Sequence, residues 1–298
     1  SFNQRFWNPI QGDGRSSTGQ AFNNKIRSEN WNWVNTLTYD KTFADVHNLS
    51  LLIGSDAQKR RDEAWGGQRS NLADPFYDQY QGSFLVNTAG GNWINEVAYE
   101  AYLGSISYNY DSKYYISGNF RRDGNSALSP NNRWGNFGGV SLGYTISNEQ
   151  FFKNSNLANT VSNFRLKGSW GRTGNGNLNN LYGSYNLYST GIYGGVARNW
   201  YIQAGNDELK WETSSQINIG LDLGFFNNRL NFEANWYNKD IDNMILAVPQ
   251  APSKGIPNPV DADANTILLN VGSMYNRGFE FAINATPIDK GDFTWTTS

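Results

Sequence analysis

The sequence of 298 residues has no cysteine and a single histidine, His47. It therefore has no disulfide framework and no thiolate metal site, and one histidine supports neither a triad nor a histidine metal cluster. No apolar run approaches the ~18 residues that a membrane-spanning helix requires, and the mean hydropathy is −0.63. A helical membrane protein is excluded. The net charge of −2 indicates no nucleic-acid partner, which normally needs a basic surface.

The two ends of the sequence do not resemble natural boundaries. Residues 1–10 lack the basic start, apolar core and small-residue cleavage site of a signal peptide. Residues 292–298 stop inside an alternating apolar and polar pattern. We therefore expect further strands outside this sequence.

Aromatic residues are abundant, at 15% of the chain, and many lie in alternating segments. Residues 216–225, QINIGLDLGF, place Ile217, Ile219 and Leu221 in one row and amides, glycine and Asp222 in the other. In a strand these rows point to opposite faces. About ten residues of strict alternation suit a tilted transmembrane β-strand, with the polar row facing a lumen.

The same pattern recurs and predicts about ten strands. They span residues 28–43, 47–63, 97–111, 113–124, 135–147, 163–173, 211–226, 229–246, 269–287 and 292–298. Short connections alternate with long ones, which is typical of outer-membrane barrels with short periplasmic turns and long outer loops. The connection 148–162 departs from this rule because it is long where a short turn is expected.

Several segments resemble the barrel of SusC/RagA-type TonB-dependent outer-membrane transporters of Bacteroidetes. The resemblance covers most of residues 27–298 in the family's order. The motifs that carry it are LTYDKTFADVHNLSLLIG (37–54), YNYDSKYYISGNFRRDGNSALSPNNRWGNFGGVSLGYTISNEQFF (108–152), FRLKGSWGRTGNGN (164–177), NDELKWETSSQINIGLDLGFFNNRLNFEANWYNKDIDNMIL (206–246) and NVGSMYNRGFEFAINATPI (270–288).

The resemblance implies an all-β fold, a segment of a large antiparallel barrel of about 22 strands with a plugged lumen. Residues 1–298 would form part of one receptor barrel domain, and the plug domain and TonB box would lie outside this sequence. Long extracellular loops are expected at about 1–27, 64–96, 125–134, 174–210 and 247–268.

By the same resemblance, the whole protein would sit in the outer membrane and import a large nutrient, an oligosaccharide or a peptide. A SusD-like surface lipoprotein would cover the loops, and TonB would act through the absent N-terminal part. Outer-membrane lipid would surround the wall. No enzymatic activity and no cofactor are implied.

The candidate ligand-binding residues lie in loops and at strand ends. Arg121, Arg122 and Asp123 either grip substrate at the barrel rim or form an ion-paired strand end with an Asp-Gly turn. Rings in the long loops either bind ligand or a lid partner, or pack the loops internally. These rings are Trp65, Tyr77, Tyr80, Trp93, Tyr193, Trp200 and Tyr201.

A calcium loop is weakly suggested by Asp261, Asp263 and Asn265 at alternate positions. The EF-hand pattern requires glycine at position six and glutamate at position twelve, where this chain has Thr266 and Gly272. A solvated loop is therefore the preferred interpretation.

Two other function classes are compatible with strands, aromatics and asparagines. A soluble carbohydrate-binding β-sandwich or propeller would bury its apolar rows against a second sheet. A glycan-degrading enzyme would need a convergent pair of acids, and the spacing nominates none.

Overall fold

The structure, a computed structural model, describes residues 2–7, 16, 18–74, 79–178, 180–256, 265–290 and 292–298. Strands dominate it. They are β1 Phe2–Trp7, β2 Gln20–Phe43, β3 His47–Leu72, β4 Phe84–Tyr110, β5 Tyr114–Asn125, β6 Trp134–Thr145, β7 Val161–Asn175, β8 Leu187–Tyr193, β9 Val196–Gln203, β10 Glu212–Phe225, β11 Leu230–Asp242, β12 Ile245–Pro249, β13 Thr266–Asn270, β14 Ser273–Lys290 and β15 Phe293–Thr297.

Helical structure in the described residues is confined to single turns. They are α1 Gln150–Lys153 and the 3-10 turns Ile146–Asn148, Asn156–Asn159 and Pro252–Lys254. No helix in these ranges has the length and apolar character needed to cross a membrane.

One antiparallel sheet of 11 strands contains most of the chain. Its order is β1-β2-β3-β4-β5-β6-β7-β10-β11-β14-β15, so each strand pairs with the next one along the chain except where two hairpins intervene. The hairpins β8–β9 and β12–β13 form separate two-stranded sheets. The predicted all-β antiparallel fold is confirmed.

The chain divides into two compact units. The first comprises 1–33 and 58–98, and its described part contains β1 with portions of β2, β3 and β4. The second comprises 34–57 and 99–298 and contains the other portions of those strands together with β5 to β15.

The ten predicted strands all occur, and three of them extend far beyond their predicted bounds. β2 begins at Gln20, β3 continues to Leu72 and β4 begins at Phe84. Much of the predicted loop 64–96 is therefore paired strand. The apolar alternation ends before the backbone pairing does, because ladder hydrogen bonds do not require an apolar row.

Five strands were missed. β1 lies in the predicted loop 1–27, and β8 and β9 lie in the predicted loop 174–210. β12 and β13 cross the two ends of the predicted loop 247–268, because the predicted strands 229–246 and 269–287 really end at Asp242 and begin at Ser273. Each is short and lacks the long two-faced alternation that identifies the others. A hairpin outside the main sheet needs no such pattern.

The short connections are tight turns with left-handed backbone. Consecutive residues with positive φ occur at Ala44 and Asp45 (49° and 57°) and at Asp111 and Ser112 (49° and 50°). Paired positive φ values are typical of type I′ hairpin turns, whose twist matches that of the flanking strands. The predicted turns at 44–46 and 111–112 are confirmed.

The largest fully buried side chains of the described residues lie in loops or at the last residue of β5. Leu128, Leu209 and Ser129 are 0% exposed, and Asn125 is 1% exposed. Ser129 N–H donates to the Leu209 carbonyl, and Asn125 Nδ2 donates to the Gly176 carbonyl at 2.7 Å. The loops after β5, β7 and β9 thus share a small core of their own.

Candidate functional site

One face of the sheet carries a continuous field of exposed apolar side chains, which we call the apolar face. Ile217 and Ile219 on β10 are 41% and 58% exposed. In the described residues the remaining sheets are the two small hairpins, so no second sheet buries this face as a sandwich would require. Further members are Ile116, Phe120, Val140, Leu142, Leu166, Trp170, Phe279, Phe281 and Ile283.

A belt of aromatic rings crosses five strands at the short-turn end of this face. Phe43 stacks on His47 at 5.0 Å between ring centroids, and His47 lies 4.9 Å from Tyr110. Tyr110 lies 6.2 Å from Tyr114, which stacks on Tyr144 at 4.9 Å. We call this row the turn-side belt. Rings at a fixed height are typical of a membrane interface.

A second aromatic group lies at the loop end. Trp134 stacks on Tyr102 at 6.2 Å, and the Arg122 guanidinium lies 5.2 Å from the Trp134 ring. Arg122 follows Tyr114 along β5 by eight positions, roughly 27 Å of strand. At a tilt of roughly 40° this gives a height of about 21 Å, close to the ~25 Å apolar band of outer-membrane barrels.

The opposite, polar face carries a ladder of hydroxyl groups. Ser107, Ser117, Ser141 and Ser169 are direct cross-strand neighbours on β4 to β7, and Asn218 on β10 continues the row. The Ser117 and Ser141 hydroxyls are 2.6 Å apart, and Asn218 Nδ2 donates to Ser169 Oγ at 3.2 Å. These hydroxyls form a neutral hydrogen-bonding surface.

A charged cluster lies beside this ladder. Lys167 Nζ is 2.8 Å from Asp222 Oδ1 and also donates to Glu233. A Cβ at Gly220 would lie 2.4 Å from Lys167 Cε, so glycine lets the lysine cross β10 to reach β11. The serine ladder, Lys167 and Glu233 line an open cavity of about 580 Å³ together with Glu280.

The structure separates the three predicted rim residues. Arg121 and Asp123 lie on the polar face, where Arg121 pairs with Asp123 at 2.5 Å and with Asp56 at 3.5 Å. Arg122 points to the apolar face and stacks on Trp134. β5 continues to Asn125, so the alternative with an Asp-Gly turn at 123–124 is wrong, whereas its ion pair is present.

Three of the predicted loop rings lie on the β8–β9 hairpin. Arg198 lies 5.2 Å from the Tyr193 ring and 5.0 Å from the Trp200 ring. Tyr193 is 74% exposed. Tyr201 donates from its hydroxyl to Asn186 Oδ1 at 2.8 Å, and burial raises the pKa of this tyrosine. The hairpin therefore offers a cation flanked by two rings.

The other predicted rings lie in the first unit. Lys25 Nζ lies 5.3 Å from the Trp65 ring. Arg69 lies 5.7 Å from the Tyr80 ring and donates to the Tyr80 carbonyl at 2.6 Å. Trp93 is exposed on β4. Tyr77 lies outside the described residues.

Sequence reasoning identified the polar rows but missed the serine ladder as a unit. Ser117, Ser141 and Ser169 are each visible in a polar row. Their alignment depends on the register between strands, which alternation within one strand does not specify. Among the described residues no group of acids and histidine has a metal-binding arrangement. Asp261 and Asp263 lie outside the described residues.

Comparison with known proteins decides the family. Residues 1–298 match the family model described as TonB dependent receptor-like, beta-barrel. The chain belongs to the TonB-dependent receptor β-barrel family. The apolar face is therefore the lipid-facing wall of an outer-membrane barrel, and the polar face is turned to its lumen.

Two curated relatives are from Bacteroidetes. TonB-dependent receptor P39 of Formosa agariphila is 35% identical over 297 residues, which is 97% of this chain and 26% of that protein. TonB-dependent receptor SusC of Bacteroides thetaiotaomicron is 34% identical over 66% of this chain and 19% of that protein. The chain thus spans about a quarter or less of the length of these relatives.

Solved structures agree with the sequence matches. A chain of the RagAB peptide importer in its closed-closed state superposes with a TM-score of 0.78 at 27% identity, covering 93% of this chain and 30% of that one. The open-open state of the same importer gives a TM-score of 0.77. The predicted resemblance to SusC/RagA-type receptors is confirmed.

Proposed function

We propose that the complete receptor imports a nutrient too large for porins, an oligosaccharide or a peptide, across the outer membrane. The observation that carries this proposal is the two-faced wall, with an exposed apolar face on one side and the serine ladder on the other. A lumen wall that carries hydroxyl and charged side chains suits a polar cargo. The similarity to the RagAB peptide importer supports the peptide class, and the oligosaccharide class rests on the family resemblance.

Within this function, the present segment supplies wall and capture loops. The shared loop core around Leu128 and Leu209 holds the loops after β5, β7 and β9 in fixed positions. Preorganised loops lose less conformational entropy when they bind a ligand. Arg121, Asp123 and the predicted loop rings remain candidates for ligand capture, and Arg198 joins them between Tyr193 and Trp200. Arg122 is left out because it points to the lipid-facing side and contacts Trp134.

The proposed partners follow the same family pattern. TonB would energise transport through the N-terminal part, and a SusD-like surface lipoprotein would cover the loops. The buried loop core is consistent with a lid protein, because it joins the loops into one surface that a partner can cover.

Uptake by cells tests the import proposal. A strain lacking the receptor gene would be complemented with the full-length gene and supplied with labelled oligosaccharides or peptides above the porin size limit. We expect uptake of one cargo class to be restored, and to be lost again when TonB is depleted. Equal uptake with and without the receptor, for both cargo classes, would contradict the proposal.

The capture hairpin is tested separately by binding. Trp200→Ala in the full-length receptor is expected to weaken cargo binding about tenfold, which corresponds to about 1.4 kcal/mol. Ile192→Ala is the matched control, because Ile192 is 81% exposed on the same hairpin. Equal affinity of the two variants would remove the hairpin from the capture surface without affecting the import proposal.

A further inference from the structure

The connection between β6 and β7, residues 146–160, has a structure that barrel closure does not require. Neighbouring connections at the same end of the sheet, 44–46 and 111–113, are tight turns. This one contains a 3-10 turn, α1 and a second 3-10 turn. We call it the β6–β7 turn. A structured connection of this length indicates a function beyond joining two strands.

The first part of the turn is fixed to the apolar face. The Tyr114 hydroxyl donates to Glu149 Oε1 at 2.6 Å, and the Tyr144 hydroxyl donates to the same oxygen at 3.3 Å. Lys113 Nζ lies 3.6 Å from Glu149 Oε2. Since Tyr114 and Tyr144 belong to the turn-side belt, Glu149 attaches the β6–β7 turn to the belt itself.

The rest of the turn is fixed as well. Phe152 is buried, and its ring lies 6.2 Å from the ring of Phe164, which belongs to the apolar row of β7. At the far end the Thr160 carbonyl accepts a hydrogen bond from the Phe226 N–H at 2.9 Å. The β6–β7 turn is therefore a rigid element on the lipid side of the wall.

This rigid element holds apolar side chains away from the protein. Phe151 is 65% exposed and Leu157 is 62% exposed. Lys153, in the last turn of α1, is exposed beside them. Apolar side chains combined with a neighbouring cation are typical of segments that lie in a membrane interface.

We propose that the β6–β7 turn is an interfacial anchor, which inserts Phe151 and Leu157 into phospholipid of the periplasmic leaflet. The short-turn end of an outer-membrane barrel faces the periplasm. The turn continues the lipid-facing surface at the height of the turn-side belt, so phospholipid is the occupant that this surface meets. Lys153 would lie at the level of the phosphate groups.

The absence of cysteine from the chain makes the test direct. Phe151→Cys, Leu157→Cys and the control Asn156→Cys would each carry a nitroxide label. The host would be the full-length receptor, with any cysteine outside this chain replaced by serine, in nanodiscs of phosphatidylethanolamine and phosphatidylglycerol. Heat-modifiable mobility on gels would establish that each labelled receptor is folded. Phe151 and Leu157 test the same surface, so either variant suffices if the other fails to fold.

Power saturation in electron paramagnetic resonance measures how accessible each label is to oxygen, which concentrates in lipid, and to a nickel chelate, which stays in water. We expect the labels at 151 and 157 to be at least threefold more accessible to oxygen than to the nickel chelate, with the opposite order at 156. Nickel accessibility at 151 and 157 equal to that at 156 would place the turn in water and overturn the proposal. Labels that neither reagent reaches would show that protein covers the β6–β7 turn, and this result would also overturn the proposal.

Discussion

The ammonium group of Lys167 lies between two carboxylates that face each other across β10 and β11. Asp222 and Glu233 are direct cross-strand neighbours, and Lys167 pairs with both. Like charges at directly opposed positions destabilise a sheet. The lysine therefore compensates a repulsion as well as forming ion pairs.

Lys167→Met is expected to lower the stability of the folded receptor by about 1 kcal/mol, because the two acids lose their shared cation. The measurement is the midpoint of thermal unfolding, followed by heat-modifiable mobility in detergent. Lys239→Met is the control, because Lys239 lies on the same face of β11 and has no ion pair among the described residues. A larger loss of stability in Lys239→Met than in Lys167→Met would show that the pairing of Lys167 with the two acids does not stabilise the sheet.

Neighbouring residues on β10 test the assignment of the two faces. Ile219→Arg places a cation in lipid and is expected to cost about 2–4 kcal/mol at mid-depth, which blocks assembly. Asn218→Arg points the same cation into the luminal cavity near Glu233 and Glu280 and should assemble. The fraction of receptor folded in the outer membrane measures both, and equal folded fractions would refute the assignment.

The single histidine, His47, has contacts in the sheet that account for its position. Its Nδ1 atom is 2.6 Å from the Tyr108 hydroxyl, and its ring continues the turn-side belt.

At the scale of elements, the β6–β7 turn depends on a titratable contact outside the spanning strands. The hydrogen bond from Tyr114, followed by the charge of Lys113, holds the pKa of Glu149 below its usual 4.5. A lowered folded-state pKa contributes stability above the unfolded value, and this contribution is lost as the pH falls through the folded one. The turn should therefore remain fixed at neutral pH and loosen in acid.

A nitroxide label at Lys153→Cys would report this loosening. Its mobility is expected to stay constant from neutral pH down to the ordinary glutamate pKa of 4.5 and to rise only as the pH falls further. Adding Glu149→Gln should give high mobility already at pH 7, because the carboxylate acceptor is gone. Mobility that does not depend on pH in the parent receptor would contradict the role of Glu149.

The loop core is a second element with its own stability. Leu209→Ala removes a side chain that is 0% exposed and is expected to destabilise the loops locally by about 2–5 kcal/mol. The barrel should stay folded, because its strands are held by ladder hydrogen bonds elsewhere. Limited proteolysis should then cut the loops after β5, β7 and β9 faster, while Ile192→Ala leaves their cleavage unchanged.

At the scale of the molecule, the main sheet requires strands from the rest of the receptor. Among the described residues, β1 and β15 stand at the two ends of the strand order with one neighbour each. Unpaired backbone N–H and C=O groups cost several kcal/mol each in hydrocarbon. The relatives are about four times longer than their matched portions, which provides room for the remaining strands.

Segment 1–298 alone is therefore expected not to insert into phospholipid vesicles, whereas the full-length receptor should insert and fold. Flotation of vesicles with refolded protein, followed by gel mobility without heating, distinguishes the two. Stable insertion of the isolated segment as a heat-modifiable species would show that these strands close on themselves.

Much of this architecture was predictable from local pattern. The alternation in residues 216–225 and in similar segments predicted the strands, their two faces and most of the turns. The order of the motifs predicted the family. The extensions of β3 and β4 and the hairpins β8–β9 and β12–β13 were not predicted. Their side chains do not alternate over a transmembrane length, so they lack the pattern that identifies the other strands.

The sequence by itself determined which side of each strand is apolar, because neighbouring residues in a strand point to opposite faces whatever the strand pairs with. The tertiary structure decided what meets across strands and loops. The alignment of Ser117 with Ser141, the crossing of Lys167 over Gly220, and the contact between Ser129 and Leu209 each join residues distant in the chain. Register and loop packing create these contacts, and no property of a single segment encodes them.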